Sequence, residues 1–114
     1  MDFEDLEKKI DGQTRLLILC SPHNPVGRVW TQQELETLAQ IAIRHDLLIV
    51  SDEIHHDLVY RDQRHTVLAS LSEEIARRTI TCIAPSKTFN IPGLSTSAVI
   101  TPDSDFHKKL GREV

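Results

Sequence analysis

Short apolar runs alternate with helical segments along this chain, and that alternation constrains the fold more than any other feature. The runs lie at residues 16–20 (LLILC), 47–50 (LLIV) and 79–84 (TITCIA). Each is short and is bounded by polar or turn-forming residues, so we predict three buried strands. The pattern between the first two is helical from 31 to 45, where Thr31 and Glu34 form a capping box, and residues 67–77 predict a second helix. This order indicates consecutive βαβ units, a parallel sheet and the α/β class.

The other segments complete this outline. Residues 2–10 and 103–113 carry apolar side chains at helical spacing and are predicted to be terminal helices. Residues 85–96 show no helical stripe, so we expect a loop there. A fourth strand at 97–101 then returns antiparallel beside the third. The predicted sheet is mostly parallel, with one antiparallel strand.

Counting layers suggests that this sheet is incompletely covered. Right-handed crossovers between neighbouring parallel strands place both crossover helices on one face. Strands with continuous apolar runs need cover on both faces. We therefore expect either a piece of a larger three-layer α/β/α domain or a chain that associates with a partner through the open face. The alternative is a small complete sandwich in which the terminal helices cover the second face.

Composition excludes several classes of protein. The chain has 114 residues, and 13 Lys+Arg against 17 Asp+Glu give a net charge of −4. A mildly acidic chain is not expected to bind nucleic acid or an anionic membrane. No apolar run approaches the ~20 residues that span a bilayer. The acidic N-terminal segment is typical of neither a signal nor a transit peptide.

Cysteine and histidine usage gives two further expectations. Cys20 and Cys82 stand alone, without the spacing of a metal finger, and are interpreted as buried thiols in a reducing cytoplasm. His55 and His56 are adjacent, so their rings point apart on a strand or loop, and we predict no metal site. Glu53 is interpreted as a buried structural partner or a helix cap. The aromatic residues Trp30, Tyr60 and Phe89 are interpreted as packing residues.

Three polar residues fall near the predicted carboxyl ends of the three strands. They are Asn24, Asp52 and Lys87. Taken singly, they are typical of a turn, a helix cap and a solvated lysine. Ligands of open α/β sheets bind beyond the carboxyl ends of the strands, where these three would converge. An amine for a Schiff base, a carboxylate for a ring nitrogen and a donor for a ring oxygen together suit pyridoxal 5'-phosphate.

The motifs around these residues resemble a known family. They read SPHNPVG at 21–27, VSDEIHHDL at 50–58 and APSKTFNIPGL at 84–94. In this order they resemble the fold-type I pyridoxal-phosphate-dependent enzymes of the class I/II aminotransferase superfamily. Within that superfamily they are most similar to the carbon–sulfur β-lyase subgroup, the cystathionine β-lyase and maltose-regulon-modulator type. The Ser-Asp-Glu-Ile-His and Ser-Lys-Thr-Phe-Asn runs mark that subgroup.

The resemblance implies a role for each matching residue. Lys87 corresponds to the Schiff-base lysine, which then moves the Cα proton of the substrate. Asp52 corresponds to the partner of the ring nitrogen. Asn24 corresponds to the partner of the ring 3'-oxygen, with a cis bond to the following proline. His55 lies where many aminotransferases carry a tyrosine that contacts the same oxygen.

The phosphate contacts depart from the family pattern. Ser86 is a candidate to approach the phosphate. Position 84 is Ala, where a phosphate-binding Ser is often found. No Arg follows Lys87 at the distance typical of aminotransferases.

The resemblance also implies an activity and an assembly. Complete subunits of the family are several times longer, so residues 1–114 correspond to part of the cofactor-binding large domain, without the N-terminal part and the C-terminal small domain. The implied function is β-elimination from cystathionine or cysteine, giving a thiol, pyruvate and ammonia in a cytoplasmic homodimer. The isolated piece is expected to be inactive. Two alternatives stay open: transamination of an amino acid, and a non-catalytic fragment that associates with itself or acts through protein contacts.

Overall fold

A computed structural model describes residues 1–111 and shows a four-stranded sheet with helices. The strands are β1 (Leu16–Cys20), β2 (Leu48–Asp52), β3 (Thr79–Ile83) and β4 (Ala98–Ile100), in that order across the sheet. The helices are α1 (Phe3–Lys9), α2 (Gln32–Arg44), α3 (Glu73–Arg77), α4 (Pro85–Thr88) and α5 (Ser104–Leu110). The first three strands are parallel and β4 is antiparallel to β3, as the sequence predicts.

Two predicted segments differ from the structure. The second crossover is a 3₁₀ turn, Leu68–Ser70, followed by the short α3, because the Ser72 hydroxyl accepts the Ile75 N–H at 3.2 Å and starts a new helix there. The predicted loop at 85–96 contains α4 and a second 3₁₀ turn, Pro92–Leu94. Proline at the first position of α4 is already fixed in a helical φ, which a periodicity argument does not register. Residues 112–113 of the predicted last helix lie outside the described residues.

The core lies between α2 and one face of the sheet. The buried stripe of α2 consists of Leu35, Leu38, Ala39, Ile41 and Ala42. It packs with Leu19 of β1 and Ile49 of β2, and the partly buried Phe3 and Leu6 of α1 join the same cluster. Burial of this stripe holds the crossover on the sheet, since each fully buried aliphatic side chain contributes about 1.5–3 kcal/mol.

The opposite face of the sheet is largely open among residues 1–111. Ile18 is 71% exposed and Val99 is 50% exposed. Because α1 packs against α2 on the first face, it does not cover the second. Phe106 of α5 lines a surface cleft with Leu48, at the end of the sheet opposite the motif-bearing loops. In the described chain the terminal helices therefore do not complete a sandwich. The expectation that one face of the sheet is open is confirmed.

The start of α2 is a reciprocal capping box, as predicted. The Thr31 hydroxyl accepts the Glu34 N–H at 3.2 Å, and the Glu34 carboxylate accepts the Thr31 N–H at 2.9 Å. The hydrogen bond from the Thr31 backbone is the main cause of a Glu34 pKa below its ordinary value of 4.5, and Arg28 adds to it. The carboxylate form of Glu34 is therefore the form that stabilises the fold.

We expect the free energy of unfolding of the Glu34→Gln variant to fall less in acid than that of the wild type. A carboxyl whose folded pKa is lowered stabilises the protein above its unfolded pKa, and that contribution is lost as the pH falls through the folded pKa. The wild-type free energy of unfolding should therefore drop about 1 kcal/mol more than that of the variant between pH 5 and pH 3. Urea denaturation at a series of pH values measures this. Glu36→Gln is the matched control on the same helix, and parallel wild-type and E34Q curves would contradict the prediction.

Candidate functional site

The three motifs meet at the carboxyl edge of the parallel strands. The last rung of the sheet aligns Cys20, Asp52 and Cys82. The loops that follow β1, β2 and β3 all leave from this rung. The structure therefore brings the three sequence motifs to one edge, as the strand order predicts.

Asp52 is the last residue of β2, whereas the sequence places it just after the strand. Alternation along the strand puts Ser51 and Glu53 on the helix-covered face and Asp52 on the open face. The half-buried Asp52 accepts only the Ile54 N–H, at 3.3 Å, and no ion pair forms to it within residues 1–111. The carboxylate is therefore available to a cationic group that approaches from the open face.

Asn24 and His55 line one cleft, and neither Asp52 nor Lys87 is among its lining residues. The cleft has a volume of about 220 Å³ and also includes Pro22, His23, Pro25, Gly27 and Leu58. The Asn24 backbone N–H donates to the Cys20 sulfur at 3.4 Å, which holds the loop against the strand next to Asp52. The Asn24–Pro25 bond is cis, as the family resemblance implies, and so is Ser21–Pro22, which the sequence analysis did not anticipate.

Lys87 lies in α4, directly after β3. Its side chain is exposed, and its amine forms no hydrogen bond or ion pair in the part of the chain that is described. Ser86, the neighbouring candidate, is buried, with 8% of its surface exposed. The Thr88 hydroxyl donates to the Asp57 carboxylate at 2.8 Å, which joins α4 to the loop that follows Asp52. This link was not foreseen, since Asp57 and Thr88 are 31 residues apart and no local pattern connects them.

Glu53 is the buried structural partner that the sequence suggests. Only 1% of it is exposed. One carboxylate oxygen accepts the Ser51 hydroxyl at 2.8 Å and the Leu68 N–H at 3.1 Å. The other lies 2.7 Å from Nε2 of His65, a partner that the sequence analysis missed. The network fastens the loop between β2 and α3 to the end of β2.

The two cysteines are free and half-buried, whereas the sequence analysis expected buried thiols. The difference arises because both lie on the open face of the sheet. Burial is the main cause that raises the pKa of the Cys82 thiol above its ordinary value of 9.0, and the Asp52 carboxylate adds to it. Cys82 is therefore a slow nucleophile at neutral pH.

We expect Asp52→Asn to speed alkylation of Cys82 roughly twofold at pH 8, because losing the neighbouring negative charge favours the thiolate. The rate is measured by iodoacetamide labelling and peptide mass spectrometry. Asp62→Asn, which changes a carboxylate on an exposed loop, is the control. An unchanged Cys82 rate in D52N would show that the two groups are not electrostatically coupled.

Three other expectations can be compared with the structure. Within residues 1–111, no three His, Cys, Asp or Glu side chains group to hold a metal ion. In the same range no helix is long and apolar enough to cross a membrane. Trp30 does pack, with its indole N–H on the Cys20 carbonyl at 2.9 Å. Tyr60 and Phe89 are 79% and 70% exposed, so the expectation that they pack was wrong for the described chain.

Comparison with known proteins identifies the family. The family model described as aminotransferase class I and II matches residues 1–111. The chain belongs to this family. This membership agrees with the motifs at the carboxyl edge and with the mixed α/β sheet.

Individual relatives include both lyases and transaminases. The chain is 52% identical over 104 residues to cystathionine beta-lyase PatB of Bacillus subtilis, covering 90% of this chain and 27% of PatB. It is 36% identical to kynurenine--oxoglutarate transaminase 3 of Homo sapiens, covering 90% of this chain and 22% of that enzyme. The chain thus spans about a quarter of the length of these relatives.

Solved structures match the fold closely. A PLP-bound putative aminotransferase from Clostridium difficile superposes with a TM-score of 0.95 at 50% identity, covering 99% of this chain and 29% of that one. Cystalysin from Treponema denticola, which contains pyridoxal 5'-phosphate, gives a TM-score of 0.91 at 47% identity over 95% of this chain and 28% of its own. The backbone described above is therefore that of a segment of these enzymes.

Proposed function

We propose that this chain supplies the pyridoxal-phosphate-binding segment of a carbon–sulfur β-lyase. The observation that carries the proposal is the placement of three polar side chains at the carboxyl edge: within residues 1–111 the amine of Lys87 and the amide of Asn24 have no hydrogen-bond partner, and the carboxylate of Asp52 accepts only the Ile54 N–H. These donors fit the cofactor, because it needs an amine, an anion opposite its ring nitrogen and a donor at its ring oxygen.

Each of these residues has a distinct role in the proposal. When bound, pyridoxal phosphate withdraws electrons from the substrate Cα and so makes the proton on that carbon removable. Asp52 would hold the ring nitrogen of the bound group in its protonated form, and Asn24 and His55 would hold its ring oxygen. Lys87 would supply the amine that binds the group covalently, and its Nζ, once free, would accept the Cα proton.

Ser86 is retained as a proposed neighbour of the phosphate. It is the residue before Lys87, and α4 carries both of them. The remaining phosphate contacts are proposed to come from other polypeptide.

The proposed reaction breaks the Cα–H and Cβ–S bonds of an amino acid such as cystathionine or cysteine. The sulfur leaves as a thiol, and water releases the remaining carbon skeleton as pyruvate and ammonia. The relation to PatB and to cystalysin supports this chemistry. Transamination is the alternative, supported by the kynurenine transaminase relatives.

The proposed setting follows from the coverage of the relatives. We propose that residues 1–114 form part of a large cofactor-binding domain, and that full activity needs polypeptide of the relatives' length, arranged as a homodimer in the cytoplasm. The open sheet face and the 27% coverage of PatB support this. The proposed small-molecule substrates are amino acids, and neither nucleic acid nor membrane is a proposed partner.

Reductive trapping tests the cofactor site. The chain is incubated with pyridoxal phosphate, reduced with borohydride and digested, and the label is mapped over its five lysines. We expect label at Lys87 well above that at Lys8, Lys9, Lys108 and Lys109. An even distribution would reject the cofactor site. Release of thiol and pyruvate from cystathionine, against amino transfer to a keto acid, then separates lyase from transaminase in the longer protein.

A further inference from the structure

We propose that Asp57 is a positioning residue for Lys87 and acts through Thr88. This inference rests on the proposed function, in which Lys87 is the reacting amine. Asp57 has none of the cofactor-binding roles that are proposed above. Its basis is a continuous set of polar contacts from the buried end of β2 to the residue beside Lys87.

The turn that carries Lys87 needs support from outside itself. α4 has only four residues, and one helical turn is not stable alone in water. Its backbone bonds run from the Lys87 N–H to the Ala84 carbonyl and from the Phe89 N–H to the Pro85 carbonyl, each at 2.9 Å, and the Asn90 and Ile91 N–H groups donate to the carbonyls of Lys87 at 3.3 Å and Ser86 at 2.9 Å. The buried Ser86 fixes the start of the turn, but Phe89 beyond its end is 70% exposed. All of these bonds lie within residues 84–91, whereas the Thr88 side chain reaches a different loop.

Asp57 supplies that support. Its Oδ2 accepts the Thr88 hydroxyl at 2.8 Å and lies 3.3 Å from Nε2 of His56. Nδ1 of His56 in turn lies 2.8 Å from the Glu53 carbonyl oxygen. The imidazole thus lies between two acceptors, the Glu53 carbonyl and the Asp57 carboxylate, and a neutral ring donates to only one of them. Within residues 1–111, the Asp57 side chain forms no hydrogen bond or ion pair with the residues proposed to bind the cofactor.

The contacts of His56 and Asp57 begin at Glu53, which hydrogen bonds hold firmly in place. The Glu53 N–H donates to the Cys82 carbonyl at 2.9 Å, so the main chain after β2 is paired with β3. The buried Glu53 side chain is held by Ser51, Leu68 and His65. Because β3 leads directly into α4, the contacts through His56 and Asp57 close a ring around the turn. The ring restricts where the Lys87 amine can lie relative to Asp52.

Amide hydrogen exchange in the intact 114-residue chain tests the tether without any cofactor. Asp57→Ala removes the acceptor, and Thr88→Val removes the donor with little change of shape. We expect each to speed exchange of the Lys87 and Phe89 amides about 3- to 10-fold, because the hydrogen bond that joins the turn to the loop after β2 is lost. The double variant should equal the single variants, since both break the same bond. Asp62→Ala, on the exposed loop, is the matched control and should change neither amide.

A second measurement separates positioning from local stability. With pyridoxal phosphate and borohydride, the label trapped at Lys87 should fall several-fold in T88V and D57A and return in Thr88→Ser, which keeps the hydroxyl. Unchanged exchange in D57A and T88V overturns the proposal. Faster exchange with unchanged trapping also overturns it, because the turn would then loosen without displacing the amine. If the wild type traps no cofactor at Lys87, the proposed function is wrong, and exchange alone decides whether Asp57 holds this turn.

Discussion

Replacing Lys87 with alanine is expected to reduce borohydride-trapped pyridoxal phosphate about 100-fold, to the level of the surface lysines. Only a primary amine can form the covalent link, and Lys87 is the lysine at the edge that carries Asn24 and Asp52. Lys8 and Lys9 end α1, and Lys108 and Lys109 lie in the last turn of α5, so all four belong to other elements. Mass spectrometry of the intact reduced protein measures the labelled fraction.

Loss of label in K87A is interpretable only if the fold persists. The Lys87 side chain is exposed and has no hydrogen-bond partner within residues 1–111, so the thermal midpoint should change little. Lys108→Ala is the matched control, since it removes an exposed amine from another helix and should leave the label intact. Equal labelling of K87A and the wild type would remove Lys87 from the proposed site.

Glu53→Leu is expected to destabilise the fold by about 3–5 kcal/mol, because one substitution removes the acceptor of three contacts. The Ser51 hydroxyl, the Leu68 N–H and His65 would all lose their partner in an interior where Glu53 is 1% exposed. Each buried donor left unpaired costs about 1–3 kcal/mol. Urea denaturation at one fixed protein concentration measures the loss, since association through the open face would otherwise change the apparent stability.

Two variants give this prediction its control. Glu53→Gln keeps one acceptor oxygen and the shape of the side chain, and should lose less stability than Glu53→Leu. Glu74→Leu changes a surface glutamate of α3 and should stay within about 0.5 kcal/mol of the wild type. If E53L were no less stable than E74L, the Glu53 contacts would have no role in stability.

The sequence predicted the strands and the site edge well because both depend on short-range signals. Strand β1 runs from Leu16 to Cys20 both in the prediction and in the structure, and the predicted Thr31 capping box is present. The parallel order follows from chain connectivity, which limits how neighbouring βαβ units pair. The sequence did not predict the division of residues 67–77, because a serine cap competes locally with the helical stripe.

The candidate site was predicted in part for the same reason. The three residues that follow or end a strand are Asn24, Asp52 and Lys87. Their position at one edge of the sheet is therefore a consequence of the strand topology. The exposure of Tyr60 and Phe89 was not predicted, because burial depends on what else packs nearby. Nor was the Asp57–Thr88 contact, which joins loops that the chain keeps 31 residues apart.

By itself, the sequence determined the α/β class, the strand order, the motifs of the family and the edge where they meet. These follow from local hydrophobic periodicity, turn chemistry and connectivity. Only the tertiary structure decided that Asp52 faces the open side of the sheet, that Glu53 lies against His65, and that Asp57 accepts the Thr88 hydroxyl. Such contacts depend on loop paths and on strand register, and a register shift of one residue reverses the face of every side chain.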